Sequence, residues 1–109
     1  MFLLLGFCQK LSNRKDELEL RYVRLFADGL LAWYKSEADD AECRGCIQVR
    51  GERVAINPNN SSELWIETKE RKFVFVFLDS YEASEWNRAC SWHAPRKPME
   101  NPVMSVRNK

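Results

Sequence analysis

Apolar and polar positions along this 109-residue chain alternate in short runs, most of them rich in β-branched and aromatic side chains. That period of two is the signature of half-buried strands. Seven runs fit it, at residues 3–11, 18–27, 30–36, 45–50, 53–57, 63–68 and 71–78. The turns between them carry their own chemistry. Asp28-Gly29 is a tight hairpin signal, Asn57-Pro58-Asn59-Asn60 breaks any strand, and Lys69-Glu70 is a short polar turn. The last run, Phe73-Val74-Phe75-Val76-Phe77-Leu78, is apolar throughout, as in a strand covered on both faces.

After it the period changes. Asp79 and Ser80 are both suited to cap a helix N-terminus, and Glu82 and Glu85 stand where the helix dipole favours acids. Ala83, Trp86, Ala89 and Cys90 then fall on one stripe at helical spacing, which predicts a helix over residues 81–92. The expectation is an all-β fold with one C-terminal helix: a seven-stranded, bent antiparallel sandwich or barrel plugged by that helix. If Phe73, Phe75 and Phe77 point inward, Trp86 supplies the bulk of the plug. Beyond residue 93, Pro95, Pro98 and Pro102 forbid regular structure. The reading is one domain over residues 1–93 and a mobile, basic, Pro-containing tail over residues 94–109.

Composition narrows function by exclusion. Seventeen basic residues against sixteen acidic ones give a net charge of +1, so no nucleic-acid partner is implied. The opening apolar stretch, Met1 to Cys8, lacks the basic start and cleavage site of a signal peptide and is far too short to span a membrane. It reads as the first strand of a cytoplasmic, monomeric protein in which Cys8, Cys43, Cys46 and Cys90 stay reduced.

Six sequence features in order resemble a pleckstrin homology (PH) domain across residues 3–92. They are Gly6-x-x-x-Lys10, the strand Glu19-Leu20-Arg21-Tyr22-Val23-Arg24-Leu25, and Asp28-Gly29-Leu30-Leu31-Ala32-Trp33-Tyr34-Lys35. Gly45-Cys46-Ile47-Gln48-Val49 and Leu64-Trp65-Ile66-Glu67-Thr68 follow, and then Arg71, Phe73 and Phe75 with Trp86 on the helix. The resemblance implies a binding module without cofactor. It implies membrane recruitment in signalling, through weak peripheral contact with phosphoinositide or other anionic lipid headgroups. The residues it implies for headgroup binding are Lys10, Arg21 and Tyr34, helped by Arg14 and Lys15 in the first loop.

Charge complicates that expectation. Where the family carries a cation two residues before Arg21, this chain has Glu19, on the same strand face and suited to pair with Arg21 or Lys10. The three loop regions of the mouth, residues 10–21, 35–44 and 67–72, carry +1, −2 and +1 and cancel. Steering an anion needs a local positive excess. In the tail, Arg96, Lys97, Arg107 and Lys109 against Glu100 give +3, which would favour an anionic membrane surface. The alternative is a protein–protein adaptor, with Leu20, Tyr22 and Phe26 facing outward when Arg21, Val23 and Leu25 point in.

Other constellations carry less. Cys43-x-x-Cys46 and Cys90-x-x-His93 have the spacing of a zinc set, but in this fold the two pairs fall at opposite ends, so no metal is expected. Cys46 and Cys90 read as small buried hydrophobes. The chain has a single histidine, its four glycines are dispersed, and no nucleophile–base motif appears, so no catalytic residues and no enzyme activity are expected.

Overall fold

Alternation along each strand decides which side chains meet in the core, and every inward position predicted on the last strand is filled as expected. The computed structural model describes residues 2–12 and 14–93. It contains seven strands in chain order: β1 (Phe2–Leu11), β2 (Leu18–Phe26), β3 (Leu30–Tyr34), β4 (Cys43–Gln48), β5 (Arg53–Asn57), β6 (Asn60–Glu67) and β7 (Lys72–Val76). One helix, α1 (Ser80–Ser91), follows. All seven strands belong to one antiparallel sheet ordered β4-β3-β2-β1-β7-β6-β5. The sheet curls into a half-barrel with β4 and β5 as its edges. The tail expected at residues 94–109 lies outside the described residues.

Val23, Leu25, Leu31, Trp33, Val49, Leu64, Ile66, Phe73, Phe75 and Phe77 fill the inside of the curl. The helix packs chiefly on β6 and β5 and sends Ala83, Trp86 and Cys90 into the same core. Trp86 stacks on Phe77, with centroids 5.4 Å apart and planes 16° from parallel. Of the two candidate caps, Asp79 takes the role: its carboxylate accepts from the Glu82 N–H at 2.9 Å, and Ser80 becomes the first helical residue. At the other end His93 is buried, its carbonyl accepting from the Gly51 N–H at 3.0 Å, which ties the helix to the β4–β5 turn.

Two local readings need correction. Asn57-Pro58-Asn59-Asn60 does not separate strands widely: Asn57 pairs with Asn60, and only Pro58 and Asn59 form the turn. The Asn57 and Asn60 side chains accept from the backbone N–H groups of Asn59 and Ser62 at 2.9 and 3.1 Å, holding the reversal tight. The second correction concerns Cys46. It is exposed on edge strand β4, on the face away from the core, whereas Cys90 is fully buried as expected.

Trp86→Ala leaves a cavity against Phe77 and is expected to cost about 3–5 kcal/mol. Denaturant unfolding of the variant measures this directly. An unchanged midpoint would mean that the helix does not plug the curl.

Candidate anion-binding mouth

The end of the half-barrel opposite the Trp86 plug is open. A concavity of about 470 Å3 lies there, bounded by the β1–β2 loop, β2, Trp33 and the start of β4. Its shape starts with the β1–β2 loop. The Ser12 N–H donates to the Glu17 carbonyl at 2.7 Å, closing the loop, and Asp16 takes the left-handed conformation (φ 57°) that aspartate tolerates. The Ser12 hydroxyl accepts from the backbone N–H groups of Arg14 and Lys15 at 3.2 and 3.3 Å. The loop so folded carries the exposed Arg14 and Lys15 onto the rim.

Register sets the interior. Lys10 pairs directly with Glu19, and Cys8 with Arg21, so Lys10, Glu19 and Arg21 share one face. The Arg21 guanidinium is held at 2.9 Å by the Glu19 carboxylate and also donates to the Leu20 carbonyl at 2.8 Å. Lys10 forms the floor. Only 5% of it is exposed, and its ammonium lies 4.7 Å from the Trp33 ring centre and 5.6 Å from that of Phe73. It donates to the Leu11 carbonyl at 3.1 Å. Burial lowers the Lys10 pKa from its ordinary 10.5, and the Arg71 and Arg21 charges lower it further against a partial pull upward from Glu19.

Trp33 forms one wall because β4 makes room for it. Gly45 is its cross-strand partner, and a Cβ there would fall 2.6 Å from the indole. Arg44 lines the mouth beside it, paired with Glu42 at 3.3 Å. In all, five cationic side chains and two carboxylates line the mouth, a net +3. Both carboxylates are already paired with arginines, so Lys10, Arg14 and Lys15 carry no ion pair among the described residues.

Several solved structures share this architecture. The C-terminal PH domain of pleckstrin, solved in complex with D-myo-Ins(1,2,3,4,5)P5, superposes with a TM-score of 0.72 at 22% identity, covering 87% of this chain and 100% of that one. The PH domain of human oxysterol binding protein-related protein 11 gives 0.71 at 18% identity, with 94% and 92% covered. The Slm1 PH domain in complex with phosphoserine gives 0.69 at 14%, with 82% and 91% covered. This chain has the PH fold. No protein-family model and no curated protein matches it significantly, so the likeness is one of structure.

Of the residues that the PH resemblance implies, Lys10, Arg14, Lys15 and Arg21 converge on one mouth. Tyr34 does not. It pairs with Tyr22 on the outer face, where the Arg24 guanidinium stacks on it at 4.4 Å, and Trp33 lines the mouth in its place. The signal was in the alternation: Val23 points inward and is the partner of Trp33. Arg44 was missed because it follows an acidic run, and those acids do not reach the mouth apart from Glu42.

Leu20, Tyr22 and Phe26 lie on the outer face as expected, but only Leu20 is widely exposed, at 60%. Phe7 covers Tyr22 edge-on at 4.9 Å, and Phe26 is half-buried. Leu3, Leu5 and Phe7 on β1 extend this apolar face. The zinc spacing does not assemble. Cys43 lines the mouth, His93 lies by the β4–β5 turn, and no group of metal-ligating side chains occurs among the described residues.

Two predictions follow from burial at and behind the mouth. Burial pushes the Cys8 and Cys90 thiols up to about 12, so in the native protein a thiol reagent should modify Cys43 and Cys46 and reach the other two only on unfolding. Mass mapping of the labelled sites checks this. For Lys10 the folded value is the lower one, so between it and 10.5 the unfolded chain binds the extra proton and stability rises with pH. The two buried thiols act oppositely, removing stability above their ordinary 9.0. The readout is therefore the difference between the parent and Lys10→Met. The parent should gain stability relative to the variant as pH rises toward 10.5, and parallel curves would contradict the buried ammonium.

Proposed function

We propose that this chain is a non-enzymatic binding module that recruits its protein to membranes by contact with anionic phospholipid headgroups, phosphoinositides among them. One observation carries the reading: a concavity with a net +3, in which Lys10, Arg14 and Lys15 have no ion pair among the described residues. Arg14 and Lys15 meet a polyanion first at the rim. Lys10 waits at the floor, where low exposure strengthens its attraction for a phosphate. Arg21 joins once it exchanges Glu19 for the ligand, a swap of one charge-assisted hydrogen bond for another. The contact is peripheral, at the cytoplasmic leaflet where anionic lipids gather. It is weak because Glu19 competes for Arg21 and repels the ligand.

A second reading rests on the outer face. Leu20 projects from it beside Leu5 and Phe7, a surface suited to a protein contact of the adaptor kind.

Liposome pelleting at near-physiological salt separates the two, because unscreened charge alone produces binding at low ionic strength. The parent should pellet weakly with phosphoinositide vesicles. Arg14→Glu combined with Lys15→Glu, both in an exposed loop, should abolish pelleting without affecting folding. Glu19→Lys replaces a repulsive charge with an attractive one and should raise affinity at least about tenfold. Arg21→Ala removes a cation and frees the Glu19 carboxylate, so it should lose binding altogether. No pelleting by either the parent or Glu19→Lys would sink the lipid reading and make the outer face the leading one.

A further inference from the structure

The curled sheet leaves one backbone edge open within its own run. β1 pairs with β2 from Phe2 to Leu11 but with β7 only at Gln9↔Val76 and Lys10↔Phe75. Before Gln9, β1 therefore has a ladder on one side only, and no turn or loop backbone among the described residues bonds to it there. Alternate residues of a strand turn their N–H and C=O groups to the same side. The open side of β1 is thus a row of unfilled donors and acceptors.

This edge borders a groove of about 710 Å3 between β1 and α1. Cys8, Phe77 and Trp86 make its floor, and Leu4, Gly6 and Leu78 its sides. Among the described residues, the only charged side chains lining it are Glu82 and Glu85, from the first turns of the helix. Neither has an ion pair among the described residues. Past Leu4 and Glu85 the apolar surface runs on to the exposed Trp92, with Arg88 beside it. The groove and the anion-binding mouth share no lining residue.

We propose that this groove receives an extended partner peptide, apolar at alternate positions and carrying Lys or Arg, which adds as a strand to the open edge of β1. Each part of the description comes from a different feature. The unpaired backbone selects an extended segment, since a helix has no free backbone groups to offer it. The apolar floor takes every second side chain. The two carboxylates select cations and repel an anionic lipid surface. A second copy of this chain paired β1 to β1 fits poorly. The one charged residue of β1 is Lys10, buried in the mouth, so the carboxylates of both copies would lack a partner.

The test uses the full chain and a short fluorescein-labelled peptide alternating Val with Lys and Thr, read by anisotropy and by amide hydrogen exchange along β1. Saturable binding is expected, with exchange slowed between Leu4 and Cys8. Glu82→Lys combined with Glu85→Lys should weaken binding by about tenfold or more and create affinity for the same peptide with Glu in place of Lys. If that protein fails to fold, Glu82→Gln with Glu85→Gln keeps side-chain size and should show a smaller loss. The proposal is overturned by absent or charge-insensitive binding, or by binding that leaves β1 exchange unchanged. It is equally overturned if the β1 amides on the side away from β2 are already protected in the free chain, or if the free chain is a dimer that the Glu82 and Glu85 changes dissociate. Either result would mean that another occupant fills the groove.

Discussion

A sheet that curls without closing leaves both ends of its core open to water, and here the stack of Trp86 on Phe77 seals one of them. The rest of the molecule is hung from that contact. Phe77 is the last inward residue after β7, so its placement sets Phe75 and Phe73 two and four residues earlier. Those rings hold Trp33 at 5.8 and 5.7 Å. Trp33 and Phe73 in turn flank the Lys10 ammonium at the other end of the curl. Two aromatic groups, joined along the chain by alternation from Phe73 to Phe77, thus mark the sealed end and the open one. Gly45 belongs with the open one, because no other residue opposite Trp33 leaves the indole its space.

The open end shows why net charge is a poor guide to local charge. The chain totals +1, yet the mouth holds +3, because most acids of the surrounding loops point elsewhere. Within the mouth the cations are graded by burial. Arg14 and Lys15 are exposed, screened and easily reached. Lys10 is almost fully desolvated, a cost that its two aromatic neighbours offset in part, since such contacts are worth about 2 kcal/mol when water is excluded. A ligand arriving there meets a charge that water no longer shields.

The fold was legible because strand alternation, turn chemistry and the capped helical stripe all agree with one another. The plug was readable from Trp86 on that stripe, and the position of Glu19 on one strand face offered Arg21 or Lys10 as its partner, of which the structure takes Arg21. What escaped was set by contacts between distant segments. Tyr34 and Trp33 differ by one residue, but a shift of one along a strand exchanges the inside for the outside. Local sequence around residues 32–34 does not fix that parity. The pairing of Trp33 with Val23 does. Cys46 looked like a core residue by type, yet its strand is a sheet edge with one face in water. The open edge of β1 had no sequence signal at all, because it follows from where β7 stops pairing.

Glu19 looks like a defect only if affinity for anions is the sole constraint on the mouth. Without a ligand, the Arg71 and Arg21 charges both repel the Lys10 ammonium. The lowered Lys10 pKa records its burial first and that repulsion second, and Glu19 is the carboxylate that opposes it. Removing Glu19 would leave Arg21, whose side chain is only 14% exposed, without its counterion. Glu19 is therefore a resident counterion of the empty mouth and must be displaced from Arg21 by any anion that binds there. The same carboxylate that pairs with Arg21 in the free protein sets a floor on the ligand charge needed to compete. A monoanion gains little from the exchange, whereas a polyanion can engage Arg21, Lys10, Arg14 and Lys15 together.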